Sequence, residues 1–352
     1  MGTPVSALAA RIYDGLHKAV VGQDDTIFAL ELALFGQGHA LIEGVPGTAK
    51  TLLVRALALV LGADFRRIQF TADLMPSDVV GTTIFNPQSG QFSTRRGPIF
   101  TNLLLADEIN RTPPKTQAAL LEGMEERQVT IDGVALPLPE LFMVCATQNP
   151  IEYEGTYPLP EAQIDRFMVK CNTEYPSRAE ELELLARGAD GFDARFLDRL
   201  GIAALVSLED LAAARREVRT IHASAAVREY GYEIVAQTRT AADVGLGASP
   251  RAALQLLIAA QCCAAMDGRD FVTPDDVKRA APNVLGHRLL IRPEAEVEGV
   301  SAAAVLRRIL DSVAVPKEPP AALEVNSREA AAPDPSEPEN TAAAALGAGT
   351  AE

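Results

Sequence analysis

The segment GVPGTAKT, from Gly44 to Thr51, constrains the fold of this chain more than any other feature. It has the spacing of a phosphate-binding loop, and it stands between a short apolar run, HALIEG, and a helix-like stretch that ends at Gly62. In that context the backbone N–H groups of the loop and the start of the helix surround an anion. We therefore expect a phosphate site made by Gly44, Val45, Pro46, Gly47, Thr48, Ala49, Lys50 and Thr51.

Within this loop Lys50 is the group that reaches the β- and γ-phosphate oxygens, and Thr51 is a ligand for Mg²⁺. Ala49 departs from the strict motif, which has glycine there. Alanine fits if its φ is already near the helical value, and we expect a positive φ at Ala49 to argue against phosphate binding. Without further signals, an ordinary glycine-rich turn remains the alternative.

Short apolar runs alternate with helical patterns over the first half of the chain, which predicts a parallel sheet covered by helices on both faces. The predicted strands are 39–44, 65–70, 103–108, 141–147 and 167–172. Two further segments, 82–100 and 128–136, have the turn residues of inserted hairpins.

From about residue 177 the apolar pattern has a helical period. We therefore predict an αβα nucleotide-binding domain over 1–177 and an all-helical lid domain over 178–315. The remaining segment, 316–352, is rich in Ala and Pro and has two basic side chains against seven acidic ones. It has little apolar surface to bury, and we expect it to be a disordered acidic tail.

A pair of carboxylates, Asp107 and Glu108, ends the apolar run LLLADE. Side chains alternate along a strand, so the two are expected to point to different sides of the sheet edge. Asp107 then suits a Mg²⁺ ligand and Glu108 a base that activates water, although acids also occur at solvated strand ends without a role. Asn149 follows the run LFMVCAT and is either a water-orienting side chain or a turn residue before Pro150.

Charge and composition exclude several other classes of function. The formal charge of −15 and the absence of Trp disfavour a nucleic-acid surface. The four cysteines and four histidines have no metal-ligand spacing, and no apolar run is long enough to span a membrane. We expect a cytoplasmic protein without membrane insertion.

Six segments in order resemble the MoxR family of AAA+ ATPases across about residues 5–313. They are VVGQ (20–23), GVPGTAKT (44–51), NLLLADEINRTPPKTQAALLEGMEE (102–126), ATQNP (146–150), LPEAQIDRFMVK (159–170) and GASPRAAL (247–254). Loops of this family often carry alanine where Ala49 stands, so the family pattern covers that departure from the strict motif.

The resemblance implies a role for each matching residue. Lys50 and Thr51 correspond to the phosphate-directed lysine and the Mg²⁺-linked hydroxyl, Asp107 and Glu108 to the metal carboxylate and the catalytic base, and Asn149 to the first sensor. Arg166 corresponds to an arginine finger presented to the neighbouring subunit, and Arg251 to the second sensor on the lid. From the residues alone, both arginines also fit solvated or helix-end positions.

The family further implies ATP and Mg²⁺ as cofactors, a ring of probable six-fold order, and chaperone-like maturation of partner proteins, commonly ones with a von Willebrand factor A domain. It also implies that the two hairpins face the pore, where Arg95 and Arg96 either grip a partner or only aid solubility, and Arg111 lies near a subunit interface. Three alternatives remain open: a magnesium-chelatase-type motor subunit, a nucleotide-sensing scaffold with little turnover, and a DNA motor, which the charge of −15 disfavours.

Overall fold

A computed structural model of the chain describes residues 4–88, 90–150 and 155–316. Its strands are β1 (Ala40–Gly44), β2 (Phe65–Gln69), β3 (Gly81–Asn86), β4 (Gln91–Arg96), β5 (Leu103–Asp107), β6 (Gln128–Ile131), β7 (Val134–Pro137), β8 (Met143–Gln148), β9 (Val169–Thr173), β10 (Val244–Leu246) and β11 (Leu290–Ile291). The predicted tail lies, from residue 317 onward, outside the described residues.

The helices alternate with these strands in the first half of the chain and dominate the second half. They are α1 (Val5–His17), α2 (Asp24–Phe35), α3 (Lys50–Val60), α4 (Pro76–Val80), α5 (Pro114–Glu126), α6 (Glu161–Ile164), α7 (Arg178–Ala189), α8 (Leu208–Thr220), α9 (Ala225–Thr240), α10 (Pro250–Met266), α11 (Pro274–Leu285), α12 (Pro293–Val297) and α13 (Ala302–Ser312). Short 3₁₀ turns occur at Ile109–Arg111, Leu197–Leu200 and Gly286–Arg288.

Five strands form the central sheet, in the order β2-β5-β8-β1-β9. Every neighbouring pair is parallel, and all residues of β5 are buried. Parallel strands bring their carboxyl ends to one edge, so the loops after β1, β5 and β8 lie close together there. This sheet, followed by a helical lid, confirms the predicted α/β class.

Helix α2 is a long element that the sequence pattern did not predict. Nine of its residues are buried, from Thr26 to Phe35, so it has no polar face and no clear helical period. It packs against β9 and against α10. The helix therefore joins the edge of the sheet to the lid.

The lid is helical, with one exception. Strands β10 and β11 pair in a short antiparallel ladder that its helical periodicity did not indicate. Helices α10 and α11 follow the N-cap residues Ser249 and Thr273, whose side chains each accept a hydrogen bond from the backbone N–H three residues on. The residues up to Pro316 pack as one unit, and the domain boundary at 177 stays a prediction.

Two antiparallel hairpins project from the sheet, β3 with β4 and β6 with β7. The Thr83 N–H donates to the Asp132 carboxylate at 3.2 Å and so connects them. The Phe85 and Phe92 rings lie 5.1 Å apart and are largely exposed. Among the described residues, none of the helices is long and apolar enough to cross a membrane.

Candidate nucleotide site

The loop between β1 and α3 has the alternating backbone handedness of an anion-binding nest. Gly47 and Ala49 have φ values of 86° and 60°, on either side of Thr48. Such alternation turns successive N–H groups toward one point, where a phosphate oxygen accepts them. Gly44 is required at the start of the loop because a Cβ there would lie 1.9 Å from the Thr173 hydroxyl on β9.

The positive φ of Ala49 corrects the sequence-based test for this position. We expected a near-helical φ if the loop bound phosphate, but Ala49 lies in the left-handed region at φ 60° and ψ 17°. That conformation completes the nest together with Gly47. A positive φ at Ala49 therefore favours phosphate binding, whereas we had expected it to argue against binding. The Ala49 side chain is accommodated at a cost of roughly 1 kcal/mol relative to an unstrained residue.

Lys50 begins α3 and folds its ammonium group back over the loop. It donates to the Gly44 and Val45 carbonyl oxygens at 2.5 and 2.9 Å. Burial lowers the pKa of Lys50, and the nearby Asp107 and Glu108 carboxylates partly oppose that shift. A cation that is partly desolvated and held by neutral carbonyls is poised to exchange them for phosphate oxygens.

Asp107 ends β5 and is held by side chains from three other elements. Arg67 on β2 donates to Asp107 Oδ2 at 2.6 and 2.9 Å, and Thr147 on β8 donates to Oδ1 at 2.6 Å. Thr51 Oγ1 lies 3.4 Å from Oδ2. Sequence reasoning missed Arg67 and Thr147, which are recognisable only once the strand order places β2 and β8 on either side of β5.

Glu108 lies outside β5, so the alternation of side chains along a strand, from which we predicted its direction, does not apply to it. Its φ is 57° and its ψ is 50°, so β5 stops at Asp107 and the backbone turns there. The Glu108 carboxylate accepts hydrogen bonds from Gln69 at 2.7 Å and from Arg111 at 3.1 Å. The two acids have different partners, as expected of different roles, but a left-handed turn separates them rather than strand alternation.

A cavity of about 380 Å³ brings most of the predicted loop together with the acidic pair and Asn149, while Gly44 and Val45 lie outside its lining. Its lining is Pro46, Gly47, Thr48, Ala49, Lys50, Thr51, Leu52, Asp107, Glu108, Thr147, Gln148 and Asn149. Asn149 is 7% exposed, beyond the end of β8. Lys50 is the one basic side chain among these lining residues, all of which the structure describes.

Arg166 and Arg251 lie outside that lining, together at a second place on the chain. Both contact Glu125 near the end of α5. Arg166 Nε approaches Glu125 Oε2 at 2.9 Å as an ion pair without hydrogen-bond alignment, and Arg251 Nη2 donates to Oε1. The sequence predicted both arginines as site residues but gave no sign of the glutamate that they share.

The residues of the cavity fit ATP with Mg²⁺. The nest and the Lys50 ammonium match a polyphosphate, and the Thr51 hydroxyl and Asp107 carboxylate are the hard oxygen ligands that Mg²⁺ prefers. Clusters of three or more His, Cys, Asp or Glu side chains suited to another metal do not occur in the described part of the chain.

Comparison with known proteins agrees with this geometry. The family described as "ATPase family associated with various cellular activities (AAA)" matches residues 39–169, and the AAA lid domain matches residues 236–309. The Bacillus subtilis protein YeaC is 47% identical over 88% of this chain and 95% of its own length. The Mycobacterium tuberculosis chaperone MoxR1 is 43% identical over 90% of this chain and 84% of its own.

A solved structure extends the similarity to three dimensions. A crystal structure of a protein from Cytophaga hutchinsonii superposes with a TM-score of 0.81, at 42% identity, over 89% of this chain and 96% of the other.

Proposed function

Because the chain belongs to the MoxR family of AAA ATPases, and is thus an ATP hydrolase with a chaperone-like role, we propose that it hydrolyses ATP between subunits of a hexameric ring. One observation carries this proposal. The phosphate loop, the acidic pair and Asn149 meet in one cavity, whereas the two predicted arginines lie together elsewhere on the chain. A chain of this kind supplies one half of its own site and one half of its neighbour's.

Within a subunit, the nest and Lys50 bind the phosphates. The Lys50 ammonium leaves the Gly44 and Val45 carbonyls for the β- and γ-phosphate oxygens, and the N–H groups of residues 47–51 donate hydrogen bonds to the phosphate oxygens. Mg²⁺, when bound with ATP, neutralises charge on those oxygens, and Thr51 and Asp107 are the residues to hold it. Arg67 and Thr147 fix the Asp107 carboxylate for that purpose.

Glu108 is the proposed base for the attacking water. Its Oε2 is held by Gln69 and Arg111, which orients the carboxylate, and its backbone N–H donates to Thr147 at 2.9 Å. Asn149, which lines the same cavity, is the residue proposed to orient the water. Glu108 takes a proton from the water as the water oxygen bonds to the γ-phosphorus, and the bond from that phosphorus to the β–γ bridging oxygen breaks, so that ADP and inorganic phosphate leave.

The second cation of the site comes from the adjacent subunit in this proposal. Lys50 alone among the lining residues is basic, and a triphosphate carries more charge than one lysine offsets. Arg166 and Arg251 share a carboxylate, so both are expected to face the same neighbour. Phosphoryl transfer commonly uses such a trans-acting arginine.

We further propose that the ring remodels a protein client, of which a von Willebrand factor A domain protein is our first candidate. The M. tuberculosis relative is a chaperone by name, which supports a protein client. The exposed Phe85 and Phe92 on the first hairpin provide an apolar contact for it. A chelatase motor is the weaker candidate, since the Rhodobacter capsulatus magnesium-chelatase subunit is 24% identical to this chain, against 43% for the chaperone.

Subunit mixing tests the shared site. Arg166→Ala alone should bind ATP normally and hydrolyse it about 10³-fold more slowly, because the P-loop is intact while transition-state charge loses its partner. Lys50→Ala subunits are inactive but keep Arg166, so mixing the two variants should restore phosphate release at junctions where an intact arginine faces an intact loop. Arg228→Ala, an exposed arginine on α9, is the matched control and should hydrolyse at the wild-type rate.

Two results would contradict the proposal. One is an Arg166→Ala variant with wild-type turnover. The other is a mixture that gains no activity although light scattering shows that subunits have exchanged, which would place Arg166 outside the neighbour's site.

A further inference from the structure

We infer that Glu125 is a positioning residue, which holds Arg166 and Arg251 as one pair and presents both to the nucleotide of the adjacent subunit. The inference rests on the proposed function, because it takes from there the direction in which the arginines act. It adds a third side chain, on a different element, to the intersubunit half of the site.

The guanidinium groups of the two arginines meet on the Glu125 carboxylate, Arg166 through Nε and Arg251 through Nη2. Arg166 uses one oxygen, at 2.9 Å, and Arg251 uses the other. The three side chains come from distant parts of the chain: Glu125 from α5, Arg166 from the segment before β9, and Arg251 from the first turn of α10 in the lid. Two guanidinium groups this close would repel each other without the carboxylate between them.

The same two segments are connected a second time, through the side chains of Asp165 and Ser249. Asp165, which precedes Arg166, accepts hydrogen bonds from the Ser249 hydroxyl at 3.1 and 3.2 Å. Ser249 is the N-cap of α10, two residues before Arg251. Arg288, whose side chain is 2% exposed, adds an ion pair to Asp165 at 2.7 Å.

These two ties leave the arginines little freedom to move separately. Asp165 holds the chain segments that carry the two arginines next to each other, and Glu125 holds their guanidinium groups. A displacement of the lid therefore carries Arg251 and Arg166 together.

Helix α5 also connects this pair to the subunit's own nucleotide cavity. The buried Gln117 amide near the start of α5 donates to the Ile109 and Thr112 carbonyls, in the turn that follows Glu108. Glu125 lies two helical turns further along the same helix. At its start the helix thus contacts the turn that follows Glu108, and near its end it carries the carboxylate that the arginine pair shares.

Stability alone does not account for this arrangement. The Glu125, Arg166 and Arg251 side chains are 34%, 28% and 42% exposed, and ion pairs so open to solvent add little to folding. Their exposure is what presentation to another subunit requires. Loss of the carboxylate charge should therefore affect turnover more than melting temperature.

Glu125→Gln tests this inference, with Glu126→Gln as the matched control on the next, exposed position. We expect Glu125→Gln to lower kcat by about 10- to 100-fold, the range that follows from misplacement of a catalytic group, with KM for ATP within twofold of wild type. Glu126→Gln should keep the wild-type kcat. Both variants are nearly isosteric, and equal melting temperatures confirm that each folds.

Mixing identifies the direction of the defect. Lys50→Ala subunits carry an intact Glu125 and arginine pair, so adding them should raise the turnover of Glu125→Gln subunits as it raises that of Arg166→Ala subunits. Wild-type or higher kcat for Glu125→Gln would overturn the inference. So would a defect that mixing leaves unchanged while Arg166→Ala recovers, and in that case the proposed function stands; if neither recovers, both fail.

Discussion

The buried Glu31 on α2 makes a prediction about stability that does not depend on the catalytic proposal. Its residue is 7% exposed, and its Oε1 has no hydrogen-bond partner. Burial raises the pKa of Glu31 from its ordinary 4.5 to about 8, against the opposing effect of Arg279. Glu31 lines a second cavity, and the other charged and titratable side chains of that cavity are Tyr13, Asp24, Asp25, Lys170, Cys171, Glu174, Tyr175, Glu180, Arg279 and His287.

The sign of the effect follows from proton binding. Between pH 4.5 and about 8 the folded chain keeps Glu31 protonated while the unfolded chain ionises it, so rising pH favours unfolding. Each pH unit within that interval lowers the free energy of unfolding by about 1.4 kcal/mol, so the loss at pH 7 is roughly 3 kcal/mol. Glu31→Gln removes this dependence, although its amide has to find a hydrogen-bond partner in the same buried place.

Urea unfolding of wild type and Glu31→Gln at pH 5.5, 6.5 and 7.5 measures the effect. The variant should gain about 1.4 kcal/mol on wild type for each pH unit across this series, whatever its stability at the first point. The control is Glu229→Gln, which replaces an exposed glutamate on α9. Its free energy of unfolding should differ from that of wild type by the same amount at all three pH values. A difference between Glu31→Gln and wild type that stays constant with pH would refute the reasoning.

Two further predictions concern the nucleotide cavity. Glu108→Gln should bind a fluorescent ATP analogue as wild type does but release phosphate about 10²- to 10⁴-fold more slowly, because the amide cannot take the proton of the water; hydrolysis near the wild-type rate would mean that another residue is the base. Ala49→Gly should raise the free energy of unfolding by about 0.5–1 kcal/mol, since glycine adopts the observed φ of 60° without strain, and should keep nucleotide affinity. The control is Ala118→Gly in α5, where the backbone is helical, and it should lower the free energy of unfolding by about 1 kcal/mol. If Ala49→Gly also lowers the free energy of unfolding, the backbone of Ala49 is not strained.

The sheet could be predicted because β1, β5 and β8 are short, largely apolar runs, and the segments of β2 and β9 also contain apolar residues. Helix α2 could not, since it is buried on nearly every side and has no amphipathic period for a pattern to detect. The sequence did not predict the short ladder of β10 and β11 for another reason. Its two segments lie more than 40 residues apart and contribute only three and two residues.

The site divides in the same way between local and non-local features. Lys50, Thr51, Asp107 and Glu108 lie in or next to a motif, so their residue types and spacing were sufficient to select them. Arg67, Gln69 and Thr147 support the acidic pair from neighbouring strands, and only the strand order reveals that they do so. Ala49 shows a third case, in which the sequence indicated the loop but not its backbone conformation, since the φ of 60° at Ala49 is positive where a near-helical value was expected.

The arginine pair marks the limit of what one chain can indicate about itself. Within the subunit, Arg166 and Arg251 form a partly exposed cluster on Glu125 that resembles an ordinary surface ion pair. Its distinguishing feature is the second tie, where Asp165 joins Ser249 and the nearly buried Arg288. An ordinary surface ion pair does not need this second set of contacts. Two side chains that must meet a phosphate on another molecule need both their backbone segments and their guanidinium groups to be held in place. The support below the cluster therefore favours an intersubunit role more strongly than the cluster itself does.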